Sequence, residues 1–334
     1  MQSQRRCVAG PAAETDTEGA SRSWFDEPRF GDRRLATRLS AVVAACQTGP
    51  GCTLPSKLGT RAALVGAYRL FNNAAVTHEE IIAAHARETR AVIAERQAGV
   101  VLIAHDSTVL DYSTLAVDGL GQVGNGNGTG LYAHNSLAID PQTGEPLGLL
   151  AQQLHARDHV DRTAPRAQQE ARKTRESRLW PDGLAAVGDA PDGAEYVHVC
   201  DRGADTTEFF DALRKGGHDF VIRSQHDRLL ADADGHRAGK LHQTLRALPS
   251  ASRRTLHVPA SGGRRARDAT LELAWTPVRI LPPRQRLGDH GAEPLPLWAL
   301  IAIERDPPKD AQPLEWMLLT SLPINLSSDA ERVL

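Results

Sequence analysis

Apolar residues between positions 22 and 97 recur at helical spacing, with alanine, leucine and valine interleaved by arginines. The pattern predicts a small helical domain. From residue 98 to 225 the texture becomes α/β. Val100 to Ala104 is fully apolar and Tyr196 to Cys200 nearly so, which suits strands buried on both faces. After the first strand, LYAHNSLAID, a DPQTG turn and EPLGLLAQQLHAR predict an antiparallel hairpin, so the first three strands read as a meander. A helical stretch through ESRLW, the second apolar strand, the helix TTEFFDALRKGG ended by glycines, and the strand DFVIRS complete this block. Residues 226–310 alternate like paired strands around turn residues and predict a β-rich insertion. In the chain's last stretch, WALIAIE and LEWMLLTS read as strands joined by RDPPKDAQP. Residues 311–334 thus hold a returning strand and the start of a helix capped by Ser327 or Ser328. Residues 1–21 are small, polar and patternless, and predict a disordered tail.

Composition narrows the class. A chain of 334 residues with 41% hydrophobic content has room for two or three domains and a substantial core. Net charge is −2, which excludes a global basic field, so any DNA affinity comes from local patches. The helical block has such a patch, with Arg29, Arg33, Arg34, Arg38, Lys57, Arg61 and Arg69 in excess over acids. Cys7, Cys46, Cys52 and Cys200 form no CxxC pair, and no apolar leader or run of membrane-spanning length occurs. A reduced, cytoplasmic protein is the expectation, with neither a disulfide framework nor a zinc ribbon.

Candidate chemistry centres on two acids. Asp106 follows the first apolar run and Asp201 the second, and strand ends of this kind deliver side chains to a common site. An aspartate after a strand is more often a turn or cap residue. Two carboxylates brought together stay ionised with a cation between them, which makes Asp106 and Asp201 a candidate Mg²⁺ site. Other signals are weaker. GLGQVG matches a dinucleotide-binding pattern but leads into a strand, so it reads as a flexible loop. His155 and His159 have metal-binding spacing only on a helix. Ser107 would be a nucleophile only beside a histidine base and an oxyanion hole.

The segments GAYRLFNN, HDSTVLDY, CDRGAD, FVIRSQH and LEWMLLTSLP occur in an order that resembles the bacterial cut-and-paste DDE transposases of the insertion-sequence-four and transposon-five type. The resemblance runs from about Trp24 to Leu334. It implies a ribonuclease-H-like catalytic core in residues 98–225, preceded by a helical DNA-end-binding domain in residues 22–97. Also implied are a β-rich insertion packed against the DNA end, and two-metal phosphoryl transfer at transposon ends, with two Mg²⁺ ions about 4 Å apart. Asp106 and Asp201 would hold them. Arg33, Arg34, Arg38 and Arg61 would bind the duplex, Arg223 would contact the DNA end, and Trp316 would stack a flipped base. The implied partner is double-stranded DNA at transposon ends, with a homodimer on DNA as the candidate assembly, no membrane, and a nucleoid-associated setting.

Three departures bear on activity. Gly203 stands where the family has an acid, and Gln225 where it has a lysine. The third acid, a glutamate on a later helix, is expected beyond Leu334, which predicts a C-terminally truncated, catalytically incomplete transposase. Two alternatives stay open. One is a non-enzymatic DNA-binding remnant that occupies transposon ends as an inhibitor. The other is an unrelated metal-dependent nuclease completed by Glu304 or Asp306.

Overall fold

The computed structural model describes residues 30–48, 51–96, 99–115, 117–124, 128–157, 176–260, 265–283, 293–309 and 311–334. The expected tail at residues 1–21, together with Arg29 and His159, lies outside the described residues. The fold is mixed α/β, with a helical N-terminal region and a large mixed sheet.

Three helices open the described chain: α1 (Arg33–Thr48), α2 (Leu54–Leu58) and α3 (Arg61–Phe71). Thr60 caps α3 by accepting the Ala63 N–H, and Gly59 ends α2 in the left-handed region at φ 67°. Phe30, Leu39, Val42, Ala67 and Leu70 form their common core. Helix α4 (His78–Arg96) ties this body to the sheet. Its Ile81 packs on the helical cluster, while Val92 and Ile93 enter a cluster with Val101, Ile103 and Leu150.

The sheet contains β1 (Gly99–Asp111), β2 (Gly121–Val123), β3 (Gly128–Ile139), β4 (Pro146–His155), β5 (Ala194–Cys200) and β6 (Asp219–Arg223). It continues through β7 (Leu229–Ala231), β8 (Arg237–Lys240), β9 (Ser252–Val258), β10 (Arg267–Ile280), β11 (Leu295–Glu304) and β12 (Glu315–Thr320). The order along its main path is β2-β3-β1-β5-β6-β12-β11-β10-β7-β8, with β4 on β3 and β9 on β10. β1, β5 and β6 run parallel at its centre, and every other pairing is antiparallel. Residues 226–310 therefore extend the same sheet, since β12 returns to β6 and carries β11 and β10 with it.

One face is covered by α4, α5 (Leu179–Val187), α6 (Thr207–Gly216) and α7 (Leu241–Arg246). The opposite face carries α8 (Ser327–Val333), whose Ala330 and Val333 pack on Val197, Val221, Leu271, Leu273 and Leu300. Asp329 accepts the backbone N–H groups of Asn325 and Leu326 at 3.0 Å each, closing the start of α8.

Two local expectations change. The GLGQVG segment is not wholly a loop, because Gly121–Val123 pairs with Gly128–Gly130. β1 also runs past its apolar stretch to Asp111, because β3 continues to pair with it from Leu102↔Ile139 to Asp111↔Gly130. Helix α4 seats against β4 at Gly148 (φ 137°), where Thr89 Oγ1 donates to the Leu149 carbonyl at 3.0 Å. An added Cβ at Gly148 would collide with that hydroxyl oxygen. Gly148→Ala should therefore destabilise the protein by about 2–4 kcal/mol, read as a lowered urea midpoint. A midpoint within error of wild type would mean that α4 yields here.

Candidate functional site

Strand register builds the site. The last β1–β5 pair is His105↔Cys200 and the last β5–β6 pair is Cys200↔Ile222. One residue further along stand Asp106, Asp201 and Arg223. Asn135 of β3 pairs with Asp106, and Leu318 of β12 pairs with Arg223, so these five residues form one row across five strands. Neighbouring strands are roughly 4.8 Å apart, which fixes the spacing of the row at its backbone.

Strand alternation then chooses the face. Leu102 and Val197, on the α8 side, precede Asp106 and Asp201 by even steps. Asp201 keeps an extended backbone (φ −77°, ψ −171°), so the alternation carries through to it. Both aspartates are exposed. Asp106 lies inside β1 and not at its end, at the point where β5 stops and uncovers it. Its carboxylate has no hydrogen-bond or ion-pair partner among the described residues. Asp201 accepts the Gly203 N–H on Oδ1 at 2.7 Å, leaving its second oxygen available.

The loop after β5 has its own logic. Gly203 sits against Trp180 of α5: an added Cβ would come within 2.8 Å of the indole ring and 3.1 Å of Asp201 Oδ1. The residue where an acid was expected is thus a glycine because a tryptophan fills the space. Asp205, 1% exposed, accepts the N–H groups of Gln225 (2.6 Å) and His226 (2.8 Å) and the Arg228 Nε–H (2.8 Å). Arg228 also donates from Nη2 to the Asp205 carbonyl at 2.7 Å. This knot joins the loop carrying Asp201 to the loop following Arg223. Gln225 takes part through its backbone, and its residue surface is exposed.

Beneath the row, on the helix-covered face, lies a histidine cluster that no sequence motif announces. His105 Nε2 and His198 Nδ1 are 2.9 Å apart, Ser136 Oγ is 3.0 Å from His105 Nδ1, and Ser107 Oγ is 2.9 Å from His134 Nδ1. Ser107 does find a histidine. That ring, however, is buried edge-on against Trp180 at 4.8 Å, and its Nε2 has no partner, so no third group orients it as a base. The three histidines come from strands far apart in sequence, and only the period-two alternation of β1 and β3 hints that they share a face.

The remaining site residues lie elsewhere. Trp316 is on the same face as the row, two residues from Leu318, half-buried with Trp275 and Trp298 against the α8 cluster. Arg33, Arg34, Arg38 and Arg61 are exposed on α1 and α3. Arg34 is paired with Asp32 at 3.1 Å, and the Arg38 guanidinium lies over Gly66 of α3. Glu304, a candidate ligand of the nuclease alternative, is 4% exposed and engaged by Arg267 Nη2 at 2.8 Å. His155 ends a strand, so the helical spacing to residue 159 does not apply. Among the described residues, one trio of potential metal ligands converges: Asp232, Asp234 and His236, all exposed. Its Asp232 Oδ1 is already taken by the N–H groups of Asp234 (3.0 Å) and His236 (2.8 Å), as in an ordinary turn.

A protein-family model described as transposase DNA-binding matches residues 18–76. The match spans α1 to α3 and stops just before α4. It supports a transposase and a DNA-binding role for the helical region. No helix among the described residues is long and apolar enough to cross a membrane.

Burial lowers the pKa of His134 to about 4, opposed by the nearby Asp106 charge, and that of His198 to about 3, helped by His218. Both rings fold neutral. An unfolded histidine takes a proton near 6.5, so as pH falls below that value the unfolded state binds protons that the folded state refuses. Stability is full above this value and declines down to the folded pKa values. Each ring should contribute roughly 1.4 kcal/mol per pH unit in that window. Denaturation midpoints should therefore drop steeply from about pH 6.5 to about pH 4.5, and a flat profile would contradict the buried, neutral assignment.

Proposed function

We propose that this chain is a cut-and-paste DDE transposase, or a protein derived from one, of the insertion-sequence-four and transposon-five type. Its helical region grips transposon-end DNA, and its sheet presents the acids of a ribonuclease-H-like core. The observation that carries this reading is charge in the matched segment. Over the matched residues 18–76 eight cations face four acids, and from Phe30 to Val76 the six cations Arg33, Arg34, Arg38, Lys57, Arg61 and Arg69 face one acid, Asp32. Duplex binding is chiefly phosphate neutralisation, so such an excess on three adjoining helices suits it. Helix α3 adds exposed Val65 and Tyr68 between Arg61 and Arg69, and Phe71 just beyond, a mixed basic and apolar surface of the kind that reads a groove.

Support for the core comes from topology. Antiparallel β1, β3 and β4, followed by β5 and β6 added parallel to β1 with a helix between them, suits a ribonuclease-H-like core. The donor set also suits Mg²⁺. Asp106 and Asp201 are exposed, adjacent, hard oxygen donors with no ion pair among the described residues, and like charges so placed favour a divalent cation. When bound, Mg²⁺ would polarise the scissile phosphate and activate the attacking oxygen. The chain's own part is to hold both carboxylates in one row, with Asp201 fixed by the Gly203 N–H. Two assigned carboxylates bind Mg²⁺ weakly, so occupation of transposon ends without cleavage is a second reading that the same DNA-binding face supports. Two copies, one at each end, is the assembly implied by either reading.

Salt dependence tests the proposal. In fluorescence anisotropy with a duplex, the combined change Arg33→Gln, Arg34→Gln and Arg38→Gln should weaken binding at least tenfold. It should also flatten the plot of log affinity against log salt by about 0.9 for each phosphate no longer neutralised. Arg34 is the smallest contributor because Asp32 holds it. An unchanged slope would return these arginines to the role of a solvated helix face.

A further inference from the structure

We propose that Arg202 and Arg223 form a two-guanidinium clamp for one DNA phosphate beside Asp201, with Arg202 as a DNA contact of the core in its own right. The inference rests on the DNA-binding reading above and adds a site outside the matched helices. Arg223 follows Ile222, the partner of Cys200, and so stands level with Asp201, while Arg202 is the next residue of the chain after Asp201. Two cations are thereby set side by side on the open face. Such a pair repels unless an anion lies between them.

Two internal anions, Glu315 and Asp205, are already engaged, and Asp201 is engaged on one oxygen. Glu315 is held by Arg246 through two hydrogen bonds of 2.8 Å each, and Asp205 by Arg228 and the backbone of the following loop. Asp201 gives one oxygen to the Gly203 N–H. The Arg202 side chain is exposed and makes no hydrogen bond or ion pair among the described residues, and its Coulombic influence on Glu315 ranks behind that of Arg246, which argues against a salt bridge within the fold as its role. Arg223 is half-buried, and its Nε is enclosed without an acceptor among the described residues. A buried donor left open in this way asks for a partner that the protein alone does not supply.

Geometry favours phosphate. Guanidinium forks donate paired N–H groups that match phosphate oxygens, and a phosphodiester can lie across an open sheet face where a buried acid cannot. The Asp205 knot fixes the loop after Arg223 to the loop after Asp201, so the backbone segments that carry the two arginines are held relative to each other before the ligand arrives. The phosphate so held would lie next to the Asp106–Asp201 pair.

The test uses the full chain and a duplex oligonucleotide, read by fluorescence anisotropy across a salt series. Arg202→Gln should lower the salt slope by about one and weaken binding several-fold, and Arg202→Lys should keep the slope because it keeps the charge. Arg214→Gln, an exposed arginine paired with Asp211 on α6, should change neither. Arg202 braces nothing, so its glutamine variant should melt with wild type. An unchanged slope in Arg202→Gln, or a lowered melting temperature, would overturn the clamp. Running the Arg33, Arg34 and Arg38 combination beside it separates the two ideas. If that variant loses slope while Arg202→Gln does not, the helical DNA-binding reading stands and the clamp falls. If neither loses slope, the reading falls as well.

Discussion

Parallel pairing of β1 with β5, and of β5 with β6, is the constraint from which the rest of the site follows. Hydrogen bonding in that ladder stops together at His105, Cys200 and Ile222. The next residue on each strand therefore leaves the ladder side by side with its neighbours, and alternation sends Asp106, Asp201 and Arg223 to one face. The opposite face takes the previous residues into the buried cluster of His105, Cys200 and Ile222. A one-residue slip of β5 would exchange the two sets, putting a carboxylate among packed aromatic rings and a cysteine in the open. The apolar clusters on both faces, with α4 to α7 on one and α8 on the other, oppose that slip.

Helix α4 gives the N-terminal region a mechanical relation to this row. Ile81 belongs to the packing of α1 to α3, while Val92 and Ile93 belong to the sheet, and the Arg90 Nη2–H reaches the Val187 carbonyl of α5 at 2.6 Å. Arg96 adds an ion pair to Glu145 in the turn between β3 and β4 at 3.0 Å. DNA bound on α1 and α3, as proposed, would thus be attached to a helix rooted in the sheet that carries the two aspartates.

Much of this architecture was legible in the sequence, and the failures have physical causes. The order of β1, β3, β4, β5, α6 and β6 could be read because each element has a clear period and a clear stop, such as Asp140 and Gly144 in the β3–β4 turn or Gly217 (φ 66°) after α6. The length of β1 could not, because its second half is polar and is held in extended form by β3 alone. That residues 226–310 continue the sheet depends on β12 returning to β6, a long-range pairing with no local signature. At the site, the two aspartates stood out because each follows an apolar strand. The histidine cluster, the Trp180 ring under Gly203 and the Asp205 knot were invisible, since each is made by residues from separate segments meeting in space.

If strand register brings Asp106 and Asp201 together as one cation site, a heavy divalent ion should reveal it. Crystals of the full chain grown with Mn²⁺ and a duplex, with diffraction recorded at the manganese edge, test this most directly. The expected result is an anomalous peak between these two carboxylates that disappears in Asp201→Asn. A peak at Asp232, Asp234 and His236 with none between Asp106 and Asp201 would contradict it.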